Sequence, residues 1–172
     1  SQVNPHAPLL DDATIHAFHA DERLRAELLA SFQVMLDFYG FRLHTPPGRP
    51  VTIVRSTAWE KRRRVWLTPR NHNFLRISRM LGCLNTLGLP DHAHAFFAAL
   101  KDVYEEEAAN VIGRQTYAFW AAAVAPELLL CSSRLWGPKP PKYMRTSSRL
   151  IAVAYAAISS ARVKRLPIRP SG

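Results

Sequence analysis

Residues 71–90 read NHNFLRISRMLGCLNTLGLP, and they decide how the rest of the chain is understood. Phe74, Ile77, Leu81, Leu84 and Leu87 recur at steps of three and four, so they share one face of an α-helix. Gly88 and Pro90 then supply a stop, because glycine takes the left-handed cap conformation and proline cannot continue a helix. Arg76 and Arg79 are three apart and sit together on a flank of that helix.

Working upstream, Leu24, Leu28, Phe32, Met35, Leu36 and Tyr39 form a second apolar stripe on a helix that ends at Gly40. Asp21 reads as its cap, and Asp11 or Asp12 as the cap of a short helix over residues 13–20. HTPPGRP (44–50) is a turn-rich loop. VTIVR (51–55) is β-branched but has no evident partner strand, so it reads as an extended lead-in to a basic helix over residues 57–66.

Downstream, Asp91 is the expected cap of a helix that turns Phe96, Leu100, Val103 and Tyr104 inward and Glu105, Glu106 and Glu107 toward water. A further apolar helix covers residues 116–124 and stops before Pro126. GPKPPKYMRTSS (137–148) has the composition of a linker, and LIAVAYAAISSARVKR (150–165) suits one more Ala-rich helix. With no strand set sufficient for a sheet, the expectation is an all-α fold. It is a compact bundle of five or six helices over residues 1–125, with a basic extension at 126–172.

The chain has 172 residues, 48% of them hydrophobic, which is enough for one cored domain and excludes wholesale disorder. Its formal charge of +10 is segregated: −4 over residues 1–37, +9 over 38–90, −4 over 91–127 and +9 over 128–172. Charge in blocks says more about partners than the total does. Two cysteines, Cys83 and Cys131, cannot build a disulfide scaffold and fit a reducing compartment, so a cytoplasmic location is expected. The opening SQVNPHAPLLDD lacks the features of a secretory signal, and no apolar run approaches the roughly 20 residues of a spanning helix.

Several strings, taken in order, resemble the conserved region of the opioid growth factor receptor family. They are VNPHAPLL, LLASFQVMLDFYGFRL (28–43), WLTPRNHNFLRISRMLGCLNTLGL (66–89) and AFFAAL (95–100). The block from Asn71 to Arg79 carries most of the specificity, and the similarity covers roughly residues 3–124. The family's region usually opens earlier, with a segment of the type His-x-Tyr-Ile-Gln-Trp-Leu-Phe-Pro, which has no counterpart here. The acidic and Pro-rich repeats of animal members have none either. The resemblance implies a receptor or binding module, not an enzyme. Its animal members are described as receptors for an enkephalin-type pentapeptide, nuclear-associated or assigned to the membrane. With 18 Arg against 5 Lys and abundant Ala, the chain has the composition of a GC-rich, bacterial genome. A natural ligand other than enkephalin is therefore expected.

The candidate contact set is Arg70, Asn71, His72, Asn73, Arg76 and Arg79, supported by Trp66 and Tyr39. Guanidinium groups beside a helix N-terminus can hold a carboxylate or phosphate of a peptide or small anionic ligand. The competing account has Asn71 capping the helix and the arginines pairing with the acidic blocks. Lys61, Arg62, Arg63 and Arg64 lie between Trp59 and Trp66, a pattern that suits nucleic acid through phosphate contacts and base stacking. It equally suits a solvated helix face with both tryptophans in the core. The basic tail, with Tyr143 and Tyr155, suits an anionic membrane surface, a nucleic acid or a loosely docked extension. The seven histidines show no convincing ligand spacing, enzyme motifs are missing, and neither metal nor cofactor is expected.

Overall fold

The structure, a computed structural model, describes residues 10–125. The proposed linker and last helix lie outside these residues. Asp11–Ala125 form one compact unit.

Helix α1 (Asp12–Ala20) starts at Asp11, whose side chain accepts from Thr14 N at 2.8 Å. Hydrogen bonding from the Thr14 side chain, and then from this backbone N–H, holds the Asp11 carboxyl below its ordinary pKa. Helix α2 (Glu22–Tyr39) starts the same way, with Asp21 accepting from Arg23 N. It ends at Gly40, which takes φ +86°. A side chain there would be strained by its backbone and would also meet Trp59 Cα at 3.1 Å.

Because Gly40 turns the chain sharply, Phe41 runs straight into strand β1 (Phe41–His44). The strand pairs antiparallel with β2 (Thr52–Arg55), Phe41 opposite Arg55 and His44 opposite Thr52. Ser56 N donates to Gly40 O at 2.9 Å and closes the ribbon. The all-α expectation is thus corrected: the fold is predominantly helical with a small two-stranded sheet. The partner of VTIVR is FRLH, four residues whose alternation puts Phe41 and Ile53 in the core.

Four further helices complete the unit: α3 (Trp59–Trp66), α4 (Asn73–Thr86), α5 (Pro90–Val103) and α6 (Ala109–Val124). Between α5 and α6 the chain makes one π-helical turn, Tyr104–Ala108. Helix α4 closes with Leu89 N donating to Leu84 O, the cap geometry that Gly88 permits. The expected Asp91 cap gives way to Leu89 followed by Pro90 at the first helical position, which leaves Asp91 in the first turn. Helix α6 begins earlier than residue 116 and is kinked at Gly113, where φ is 78° and ψ 150°.

The buried stripe of α4 packs against α5 and α6. Phe32, Tyr39, Phe41, Trp59, Trp66, Phe74, Phe96 and Trp120 make one aromatic core, with edge-on contacts such as Tyr39–Trp66 at 5.4 Å. Each such side chain contributes roughly 1.5–3 kcal/mol of apolar burial before entropy is counted. Trp66 and Trp120 also find acceptors, in Tyr39 O and Phe74 O, both at 3.0 Å. Trp59 Nε1 is buried and has no acceptor among the described residues.

Candidate functional site

The contact set converges on the turn between α3 and α4, and one asparagine organises it. Asn71 Nδ2 donates to Thr68 Oγ1 at 2.8 Å and to Val65 O at 3.2 Å, tying the start of α4 to the end of α3. Its Oδ1 accepts from Asn73 N at 3.0 Å and Asn73 Nδ2 at 2.9 Å. Asn71 therefore satisfies a free N–H of the helix opening, although His72 holds the formal cap position without a side-chain bond.

Asn73 is 2% exposed and carries the chain of bonds inward. Its Oδ1 accepts from the Tyr39 hydroxyl at 3.4 Å and from an Arg76 guanidinium nitrogen at 3.3 Å. Burial pushes the Tyr39 hydroxyl up to about 12, and nearby Arg76 opposes that rise. Tyr39 and Trp66 are fully buried, so they are out of reach of a ligand and belong to the packing beneath the turn.

The remaining members face outward. Arg70 is exposed and has φ +58°, a left-handed conformation that costs a non-glycine residue on the order of 1 kcal/mol. His72, Arg76 and Arg79 are exposed. None of Arg70, Arg76 and Arg79 makes an ion pair among the described residues. The expectation that they pair with the acidic blocks is therefore not realised. The pairs go to Arg55, Arg62 and Arg63 instead.

Leu75, 38% exposed, was absent from the sequence-based set. His72, Leu75, Arg76 and Arg79 stand at i, i+3, i+4 and i+7, so they form one continuous outer stripe of α4. The signal for it was present: it is the complement of the buried stripe. Val65, 56% exposed, adds a second aliphatic group from the end of α3. Chemically, the α4 stripe joins cations to an exposed aliphatic side chain near a helix opening.

The run from Lys61 to Arg64 divides. Lys61 and Arg64 are exposed and unpaired among the described residues. Arg62 pairs with Asp37 at 3.2 Å, and Arg63 with Glu60 at 3.6 Å and with Glu107. Trp59 and Trp66 are 5% and 0% exposed, so base stacking on them is ruled out. Glu105, Glu106 and Glu107 are exposed, as expected, and Glu106 and Glu107 also bind Arg55.

Among the described residues no three His, Cys, Asp or Glu side chains are grouped to hold a metal. His19 Nε2 donates to Thr86 O at 2.9 Å and His94 Nδ1 to Pro90 O at 2.8 Å. Burial pushes the Cys83 thiol up, away from thiolate reactivity. No described helix is long and apolar enough to cross a membrane.

Fold and site define a small helical domain that presents a cationic helix opening on an aromatic core. Residues 1–126 match the opioid growth factor receptor (OGFr) conserved region, and the chain belongs to that family. It is similar to the opioid growth factor receptor of Homo sapiens, 36% identical over 87 residues, and to those of Rattus norvegicus at 34% and Mus musculus at 33%. Each match covers 51% of this chain but only 12% to 14% of the relative's length. No solved structure matches the chain.

Proposed function

We propose that this chain is a non-enzymatic binding module that recognises an acidic peptide with an aliphatic residue beside its carboxylates. The observation that carries this reading is the outer stripe of α4. Arg76 and Arg79 leave their charge unpaired one helical turn apart, with Leu75 exposed beside them. Unpaired cations on a rigid element meet a carboxylate with little reorganisation. The aliphatic contact adds burial that a free inorganic anion would not supply. The relatives named opioid growth factor receptor support a binding role. The peptide here is defined by the chemistry of the stripe.

A fluorescently labelled helical peptide with alternating pairs of Glu and Leu is the probe. It binds the wild-type chain at low salt, and the Arg76→Gln/Arg79→Gln variant weakens it about tenfold or more. Helicity and urea midpoint stay nearly unchanged, because the substitutions break only the 3.3 Å bond from Arg76 to Asn73. Undiminished binding, or an unfolded variant, would show that the arginines do not form the site. Tighter binding of duplex DNA than of the peptide would replace the reading with a nucleic-acid one.

A further inference from the structure

A second cluster of opposite charges lies away from the α4 stripe and shares no residue with it. Arg55 ends β2 and Arg63 lies on α3, yet both reach Glu107. Arg55 is 3.4 Å from one Glu107 oxygen and also bonds Glu106 Oε2 at 2.7 Å. Both guanidinium groups stand over the Trp59 ring, at 4.8 and 5.9 Å from its centre. Trp59 is itself fixed in the aromatic core by Phe41 and Trp66. Two guanidinium groups drawn to the same carboxylate repel each other unless that anion stands between them. The arrangement is therefore a clamp for carboxylates, built on a rigid floor at the protein's rim.

The chain fills that clamp from an unusual element. Glu105, Glu106 and Glu107 lie on the π-helical turn, where one extra residue is accommodated. The turn ends on Ala108, whose φ of −125° and ψ of 13° depart from helical values. A π turn relaxes to α-helix by a one-residue shift, which turns each side chain by about 100° around the axis. Such a shift carries Glu106 and Glu107 out of the clamp. The ion pair of Glu106 is largely exposed, at 60%, and that of Glu107 less so, at 23%, so Glu106 is the more weakly held of the two.

We propose that Arg55 and Arg63, over the Trp59 ring, form a second binding site for acidic peptides, one that Glu106 and Glu107 occupy from within the chain. The occupant it fits is an extended acidic segment whose carboxylates two residues apart share one side, presenting two carboxylates as the displaced pair does. Binding exchanges one pair of carboxylates for another, and the π turn supplies the freedom to withdraw.

The test uses the full chain and labelled tetraglutamate. If the internal carboxylates hold the clamp nine-tenths of the time, the Glu106→Gln/Glu107→Gln variant binds about tenfold tighter than wild type. Adding Arg55→Gln removes the gain. Adding Arg76→Gln/Arg79→Gln leaves the gain in place, which separates this site from the α4 stripe. Equal binding by wild type and the double variant, or a gain that survives Arg55→Gln, overturns the proposal. Should the double variant fail to fold, Glu106→Gln alone decides: it frees only the 2.7 Å bond of Arg55 and retains Glu107. An intermediate gain supports the site, and none rejects it.

Discussion

Tyr39 ends α2 inside the core, and its hydroxyl reaches the one buried polar side chain among the described residues, Asn73. Desolvation raises its pKa from the ordinary 10.0 to about 12. An unfolded chain therefore loses this proton first as pH rises. The stabilisation is complete below pH 10 and is lost between 10 and 12, by about 2 kcal/mol. Urea midpoints at pH 9 and 11.5 should fall less for Tyr39→Phe than for wild type, and equal losses would contradict the assignment. Residue types marked Tyr39, Asn71 and Asn73 as polar members of a site. The apolar stripe of α2 already placed Tyr39 inward, but nothing local showed that Asn73 is buried, because its burial follows from how α2 and α4 meet. Leu75 is the converse case: its type suggested core, but it lies off the buried stripe and faces solvent.

Elements with caps were legible, and elements that depend on distant partners were not. Asp11, Asp21, Gly40 and Gly88 act within a few residues of themselves, so their helix ends could be read directly. Strand β1 could not, since FRLH becomes a strand only by pairing with residues 52–55 across a loop. The break in α6 is similar. Gly113 holds a backbone conformation open almost solely to glycine, while a Cβ there would meet nothing within 4 Å. Gly113→Ala should therefore cost about 1–3 kcal/mol through the backbone alone. Gly82→Ala, in the regular part of α4 with equal space, should stabilise by roughly 0.5–1 kcal/mol. Urea denaturation of the pair measures both, and equal shifts would refute the kink's role.

At the scale of the molecule, one aromatic core links α2, the ribbon, α3, α4, α5 and α6, so these parts should unfold together. A chain ending at Ala125 is expected to melt in a single calorimetric transition, within a few degrees of the full chain. Two transitions would contradict the single cooperative core, and loss of folding would show that residues 126–172 contribute to it. The +9 of residues 128–172 sits beyond the described domain, so the net charge of +10 says little about what α4 meets.

Local rules were sufficient for the presence of the main helices, the ends set by Asp11, Asp21, Gly40 and Gly88, the inward stripes of α2, α4 and α5, and the resemblance to the family. Each depends on the 3.6-residue period, on a cap, or on a string of side chains read in order. Tertiary packing alone settled which charges are free. Whether an arginine stays unpaired depends on which carboxylate the fold brings within about 4 Å. Arg55 and Arg63 met Glu106 and Glu107 from about 50 residues away, while Arg76 and Arg79 met none among the described residues. Charge acts through space, and the spacing of residues along the chain does not contain that distance.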